Sequence, residues 1–211
     1  MFGRVAAALL LVPAIASAQA QRHSDVGVWI NQATYGTTSA PEPDSALQVS
    51  VKGRAGYGVS FTHFIGERFS VALSADELRG RARLAERDLQ AELDAGPSRV
   101  HAFAAAAQWH FTPPWMFDAY AGGGVAYLNG GRIDVPAEAT EERVAGTIPF
   151  KNAFAPMLNA GVSIQLRGRV SAGVDVKWMR YSAKLDTTPD DPFQHLRLNP
   201  LTVALGLRLR L

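Results

Sequence analysis

Cysteine is absent from the 211 residues of this chain, which excludes a disulfide framework, a thiolate zinc site and a cysteine nucleophile. An excess of one charge is also absent, because 21 Lys and Arg stand against 19 Asp and Glu. A nucleic-acid-binding protein would need a basic excess. Beyond the N-terminus, no apolar run reaches the roughly 18 residues that a membrane-spanning helix requires. With 47% hydrophobic residues, the chain is not a disordered one either.

The first twenty residues are predicted to be a cleaved secretory signal peptide. Arg4 supplies a positive start, residues 5–15 are apolar, and small residues at alternate positions allow cleavage after Ala18 or Ala20. An N-terminal membrane anchor is the alternative, but the apolar run is too short and no basic cluster follows it. Residues 21–211 are therefore expected to form a single domain.

Alternation of apolar and polar residues with period two predicts an all-β fold. In residues 201–211 every second residue is Leu or Val, and the residues between them are Thr, Ala, Gly or Arg. A helix would mix the two sets, whereas a strand separates them onto two faces. The same pattern predicts eight strands, at residues 26–33, 55–64, 69–75, 101–111, 117–128, 158–166, 170–179 and 201–211.

The connections between these strands alternate strictly between short and long. Short turns are predicted at residues 65–68, 112–115 and 167–169, and long loops at about 32–53, 77–99, 129–152 and 183–196. This plan is typical of an eight-stranded antiparallel transmembrane β-barrel in the bacterial outer membrane, with periplasmic turns and external loops. A soluble sandwich has no reason to keep every long loop at one end.

Aromatic residues are also concentrated near the two ends of the predicted strands. Two interface belts are expected of a membrane barrel. A lipocalin-like soluble barrel, the alternative, would point the same residues inward. The turn-end belt consists of Phe69, Trp109, Phe111, Trp115 and Phe117, and the loop-end belt of Tyr57, Phe103, Tyr127 and Trp178.

Several segments, taken in order, resemble the OmpW family of small outer-membrane barrels. Ala-Gln-Trp-His-Phe at residues 107–111 is similar to the family's Gln-aromatic-x-Phe strand end, and residues 119–127 to its next strand, Tyr-Val-Gly-x-Gly-apolar-x-Tyr. Arg-Leu-Asn-Pro at residues 197–200 is similar to the Arg-Leu-Asp-Pro that precedes the family's last strand. The resemblance covers about residue 61 to the C-terminus. It implies a barrel that passes small, largely apolar molecules across the outer membrane.

The sequence departs from that family pattern in three places. The family usually ends in Phe, the residue that the barrel-assembly machinery prefers, whereas this sequence ends in Leu211. Gly-Pro-Ser at residues 96–98 stands where the family has a double proline, and residues 26–33 match poorly. The barrel-assembly machinery is still the partner expected during biogenesis.

The inward positions of the predicted strands are nearly all small. Because an eight-stranded barrel is just wide enough for side chains to fill, small residues predict a narrow cavity that opens toward the long loops. The alternative is that they merely suit a tight, strongly tilted barrel. The candidates for a lumenal ligand pathway are Asp118, Tyr120, Gly122, Gly124, Asn159, Ser163, Gln165, Asp175, Lys177, Met179, Gly206, Arg208 and Arg210.

Charges at these inward positions need partners, because an unpaired charge in a closed interior is unfavourable. A network of Arg208 and Arg210 with Asp175 or Asp25 is the hypothesis. It would act either as a structural latch or as a polar floor. Such a floor would close the periplasmic side and divert an apolar passenger sideways into the bilayer.

No enzyme and no cofactor are predicted. His195 with Asp190, Asp191 and Ser182 could be drawn as a lipid-A-modifying site, but a His closely followed by Ser and Asn is absent. No two histidines stand at the spacing of a local metal motif. Residues 81–93 form either an amphipathic helix over the barrel mouth or a solvated charged loop.

The predicted function is passive passage of small hydrophobic molecules across the outer membrane. The alternative is a surface barrel without transport, whose loops bind a partner. An open lumen would favour transport and a filled lumen the structural role. The expected partners are outer-membrane lipid and small apolar solutes, with no nucleic acid. A monomer is expected, since a closed barrel leaves no strand edge to pair.

Overall fold

A computed structural model describes residues 24–36, 38–39, 47–86, 91–111, 117–135, 146–184 and 195–211. The predicted signal peptide lies outside these ranges. All regular structure within them is β-strand, and no helix there is long and apolar enough to cross a bilayer.

The strands form one closed antiparallel barrel with short additions at one end. Eight long strands, β1, β3, β4, β5, β6, β8, β9 and β12, each pair with the next, and β1 closes the cylinder by pairing with both β3 and β12. The predicted eight-stranded antiparallel barrel is confirmed. The strands are β1 Ser24–Thr34, β2 Thr38–Ser39, β3 Leu47–Phe64, β4 Phe69–Glu86, β5 Ala91–His110, β6 Phe117–Val135, β7 Gly146–Pro149, β8 Ala153–Arg167, β9 Val170–Met179, β10 Ser182–Lys184, β11 His195–Arg197 and β12 Leu201–Arg210.

Several strands continue well into the segments predicted as loops. β4 and β5 form a hairpin that leaves only residues 87–90 undescribed, so the loop predicted over residues 77–99 and the helix proposed over residues 81–93 are both wrong where the structure describes them. Leu84 lies opposite Leu93, and Arg81 forms an ion pair with Asp94 at 2.6 Å. This ion pair lowers the pKa of the Asp94 carboxyl. The sequence pattern within this segment does not reveal these cross-strand partners. Pairing with them favours an extended strand over a helix.

The outer face is apolar and carries the predicted aromatic residues. A soluble lipocalin-like barrel would bury these side chains, so their exposure excludes that alternative. Tyr127 is partly exposed and packs against Phe154 at 5.0 Å between ring centroids. Trp115 lies outside the described residues. Side chains that are 37–59% exposed include Tyr57, Phe69, Phe103, Trp109, Phe111, Phe117 and Trp178.

The interior contains two layers of different chemistry. The loop end holds a cluster of buried apolar side chains, here called the apolar cap, whereas the middle and the turn end are polar. Instead of the expected cavity opening toward the loops, the described residues place this cap there. Its larger members are Leu78, Val100, Leu128, Phe150, Met157, Met179, Tyr181 and Leu198.

Candidate functional site

Lys177 is the centre of the polar layer and joins opposite walls of the barrel. Its Nζ lies 2.7 Å from Asp76 Oδ2, 3.1 Å from Ser74 Oγ and 3.8 Å from Asp175 Oδ2. Lys177 is on β9, and the first two partners are on β4, four strands away in either direction. One ammonium group thus bridges the whole lumen between two carboxylates. This arrangement satisfies buried charges that would otherwise be costly.

Arg208 fills the lumen beside this bridge. Its guanidinium donates a hydrogen bond to the Tyr120 hydroxyl, which in turn donates to Asp175 Oδ1 at 2.6 Å. The guanidinium carbon also lies 5.1 Å from the Trp29 ring centroid and 4.8 Å from that of Tyr120. Arg208 is only 5% exposed. Cation–π stacking and hydrogen bonding therefore fix a planar cation across the middle of the barrel.

A third group closes the turn end of the lumen. His110 Nδ1 lies 2.7 Å from Asp118 Oδ1, and His110 Nε2 lies 2.9 Å from Ser70 Oγ. This order is that of a hydrolase triad. Ser70 and His110 are, however, both 0% exposed, and neither lines the lumenal cavity. The group links β4, β5 and β6 through side-chain contacts, and Phe64 covers it at 4.6 Å from the His110 ring.

The free space left in the polar layer is very small. The lumenal cavity has about 20 Å³ accessible to water and is bordered by Trp29, Tyr120, Lys177 and Arg208, among others. That volume accommodates about one water molecule. A solute larger than water does not fit this cavity unless its lining side chains move.

The structure brings most of the predicted lumenal residues together. Asp118, Asn159, Ser163 and Met179 are buried inside the barrel with the residues above, while Gln165 and Arg210 are partly exposed at the turn end. Their part in a ligand pathway stays a prediction.

The hypothesised charge network is correct in outline but differs in its pairs. Arg210 lies 4.0 Å from Asp25, as proposed. Arg208 instead lies 4.0 Å from Asp118 and reaches Asp175 only through the Tyr120 hydroxyl. Lys177 lies beside Asp175 in its place, at 3.8 Å between Nζ and Oδ2.

The glycines at predicted lumenal positions allow neighbouring strands to pack closely in the barrel wall. A Cβ atom at Gly124 would lie 1.9 Å from the Ala105 carbonyl oxygen, and one at Gly122 would lie 2.3 Å from that of Ala107. At Gly206 the Val28 carbonyl oxygen would be 2.3 Å away. These positions require glycine because neighbouring backbone approaches too closely for a side chain.

Sequence reasoning did not place Trp29, Asp76 and His110 in the lumen, and it counted Ser70 only among the small inward positions. The signal was present for three of them, because they continue the inward phase of Ala72, Ala104 and their neighbours. Asp76 was not assigned to the inward face because the predicted strand ended at residue 75. The phase around Trp29 was ambiguous from sequence, and the structure places its indole inward, donating to Ser60 Oγ at 2.8 Å.

Of the residues considered for lipid A chemistry, the structure describes only Ser182 on β10 and His195 on β11. In the β10–β11 hairpin, His195 lies opposite Lys184, and Ser182 lies opposite Arg197. Asp190 and Asp191 lie outside the described residues. Across the described ranges, no group of three or more His, Asp and Glu side chains is arranged to hold a metal ion.

A closed eight-stranded barrel with an apolar outer face, short turns at one end and long connections at the other is a transmembrane β-barrel of the outer membrane. The described strands form the closed wall, and their outward side chains form the apolar face. Comparison with family models identifies the family within this class. The chain belongs to the OmpW family, whose model matches residues 21–211, and it is an integral outer-membrane protein.

Solved structures share this fold at low sequence identity. OprG from Pseudomonas aeruginosa, an outer membrane protein, aligns with a TM-score of 0.70 and 13% identity, covering 92% of this chain and 97% of its own. Neisserial surface protein A aligns with a TM-score of 0.56 and 12% identity, covering 89% and 96%. The outer membrane protein AlkL aligns with a TM-score of 0.55 and 14% identity, covering 92% of each chain. Among curated proteins, none matches this chain in sequence.

Proposed function

We propose that the barrel takes small apolar molecules from outside into its loop-end interior and releases them sideways into the membrane. The observation that carries this proposal is the order of the two interior layers. The apolar cap lies at the loop end of the barrel, and the ion-paired layer around Lys177 lies below it. An apolar molecule is favoured in the first layer and rejected by the second.

Passage straight along the axis is disfavoured by the same arrangement. An apolar molecule would have to separate Lys177 from Asp76 and Arg208 from Tyr120, and it could not replace their hydrogen bonds. The cavity of about 20 Å³ offers it no bypass. A route that ends above this layer needs an exit through the wall.

The seam between β8 and β9 is the exit that we favour. Its register begins at Met157 opposite Met179, two members of the apolar cap. Just above them, the Arg180 amide donates to the Pro156 carbonyl oxygen at 3.0 Å. Proline has no N–H group, so Pro156 cannot donate the reciprocal hydrogen bond to Arg180. The seam therefore lacks one backbone hydrogen bond beside the apolar cap, where Phe154 and Trp178 face outward.

A disulfide across this seam is expected to slow uptake severalfold. Met157→Cys with Met179→Cys would place two thiols opposite each other, and because the chain has no cysteine no other disulfide can form. Uptake of a small apolar fluorescent probe is measured in cells or proteoliposomes, oxidised and then reduced. Reduction should restore the rate.

Each single-cysteine variant serves as the matched control and should be indifferent to oxidation. Equal uptake in the oxidised and reduced double variant would contradict the lateral route. Equal uptake with and without the protein would remove transport of that probe altogether.

The filled middle of the lumen favours a second candidate, a surface barrel without transport. In that case the polar layer is a structural latch and the long loops bind a partner. A protein that folds fully and gives no probe uptake under any condition would support this candidate.

A further inference from the structure

Four arginines form one row across the outer face of β3, β4, β5 and β6. Arg54 lies opposite Arg79, Arg79 opposite Arg99, and Arg99 opposite Arg132. Three of these residues are exposed, and the Arg79 side chain is 40% exposed. We call this set the arginine row.

The row carries a clear electrostatic cost. Like charges directly opposite each other on neighbouring strands are destabilising. Glu77 offsets the charge of Arg79 through hydrogen bonds of 2.9 and 3.1 Å. The guanidinium groups of the row present planar forks of N–H donors, which favour an anionic partner of matching geometry.

The row lies at the height of lipid headgroups. Arg79 stacks over the Tyr57 ring at 5.1 Å, and Tyr57 belongs to the loop-end aromatic belt. Such belts mark the boundary between hydrocarbon and water. The arginine row lies just beyond this boundary on the external side, where the headgroups of the outer leaflet meet the barrel wall.

An open apolar hollow on the outer face lies below the row, mostly on the same four strands, with Tyr57 and Glu77 between the two. It measures about 650 Å³, and the small side chains of Ala75 and Ala105 lie among larger neighbours that include Phe103, Val125 and Tyr127. Along β4, Leu73 in the hollow lies six positions before Arg79 in the row, about 20 Å of strand. The charge of the row matches a lipid headgroup, and the apolar hollow below it matches the acyl chains.

We propose that the outer face of β3–β6 binds a phosphorylated glycolipid of the outer leaflet. Its phosphates would lie along the arginine row and its acyl chains in the hollow. Arginine suits this partner because its planar guanidinium donates two parallel hydrogen bonds to a phosphate group. Binding relieves the repulsion within the row.

The test removes the charge of the row and measures lipid retention. The variant Arg54→Gln, Arg99→Gln, Arg132→Gln leaves the Arg79–Glu77 pair intact. The matched control, Arg68→Gln, Arg167→Gln, Arg169→Gln, removes three exposed arginines at the turn end. Both are placed in nanodiscs containing bisphosphorylated lipid A, and native mass spectrometry counts the lipid retained per barrel. Retention should fall at least about tenfold in the row variant and stay unchanged in the control.

Two further arms keep the acyl and phosphate contributions separate. Ala105→Trp fills the hollow without altering charge and should also reduce retention. Inorganic phosphate and a zwitterionic phospholipid should stabilise the native barrel against heat less than lipid A does. Equal retention by the row variant and the control would overturn the proposal. So would equal stabilisation by inorganic phosphate, which would reduce the row to a simple anion site.

Discussion

Replacement of Lys177 by Met is expected to lower the free energy of unfolding by about 3–5 kcal/mol. The substitution leaves Asp76 and Asp175 inside the barrel without their shared ammonium group. A buried carboxylate that loses its partner costs far more than the net value of the pair. Urea unfolding in detergent and the temperature of the gel shift between folded and unfolded bands would both report this loss.

A double-mutant cycle separates the ion pair from the packing of the side chain. Asp76→Asn with Lys177→Met removes one charge of each sign and should recover part of the loss. Charge reversal by Asp175→Lys should also lower heat resistance, because it places two cations side by side. A gel-shift temperature that stays the same in all three variants would show that the network does not stabilise the barrel.

The strand order was predictable because it depends on a local pattern. Period-two alternation is visible within eight residues, and it predicted all eight barrel strands and the inward face of most of them. The partner of Lys177 was not predictable in the same way. Asp76 is 101 residues away, and only the stagger of the closed barrel brings the two to one height.

The interior of the loop end was predicted least well, for a different physical reason. Leu78, Phe150, Tyr181 and Leu198 lie outside the predicted strands, yet all four belong to the apolar cap. Leu78 lies on the part of β4 beyond its predicted end, and the other three residues lie next to the short strands β7, β10 and β11. Burial in this cluster raises the pKa of Tyr181 to about 12. The small residues of the lower lumen therefore did not imply an opening toward the loops.

Replacement of Arg208 by Ala is expected to open a water-filled path through the polar layer. The guanidinium stacks on the Trp29 and Tyr120 rings and borders the cavity, which has room for about one water molecule. Its removal joins that cavity to the volume it occupied, while the Lys177–Asp76 and His110–Asp118 pairs keep their partners. Potassium conductance in planar bilayers should rise severalfold above that of the native barrel.

The control for this variant is Arg210→Ala, which removes a partly exposed cation at the turn end and should leave conductance unchanged. Conductance that stays at the native level in Arg208→Ala would contradict the assignment of this residue as the plug of the lumen. Uptake of the apolar probe adds a second readout. Under the lateral route it ends above the polar layer, so Arg208→Ala should raise ion conductance while probe uptake stays close to the native rate. A parallel rise of both would indicate that apolar molecules follow the axis of the barrel instead.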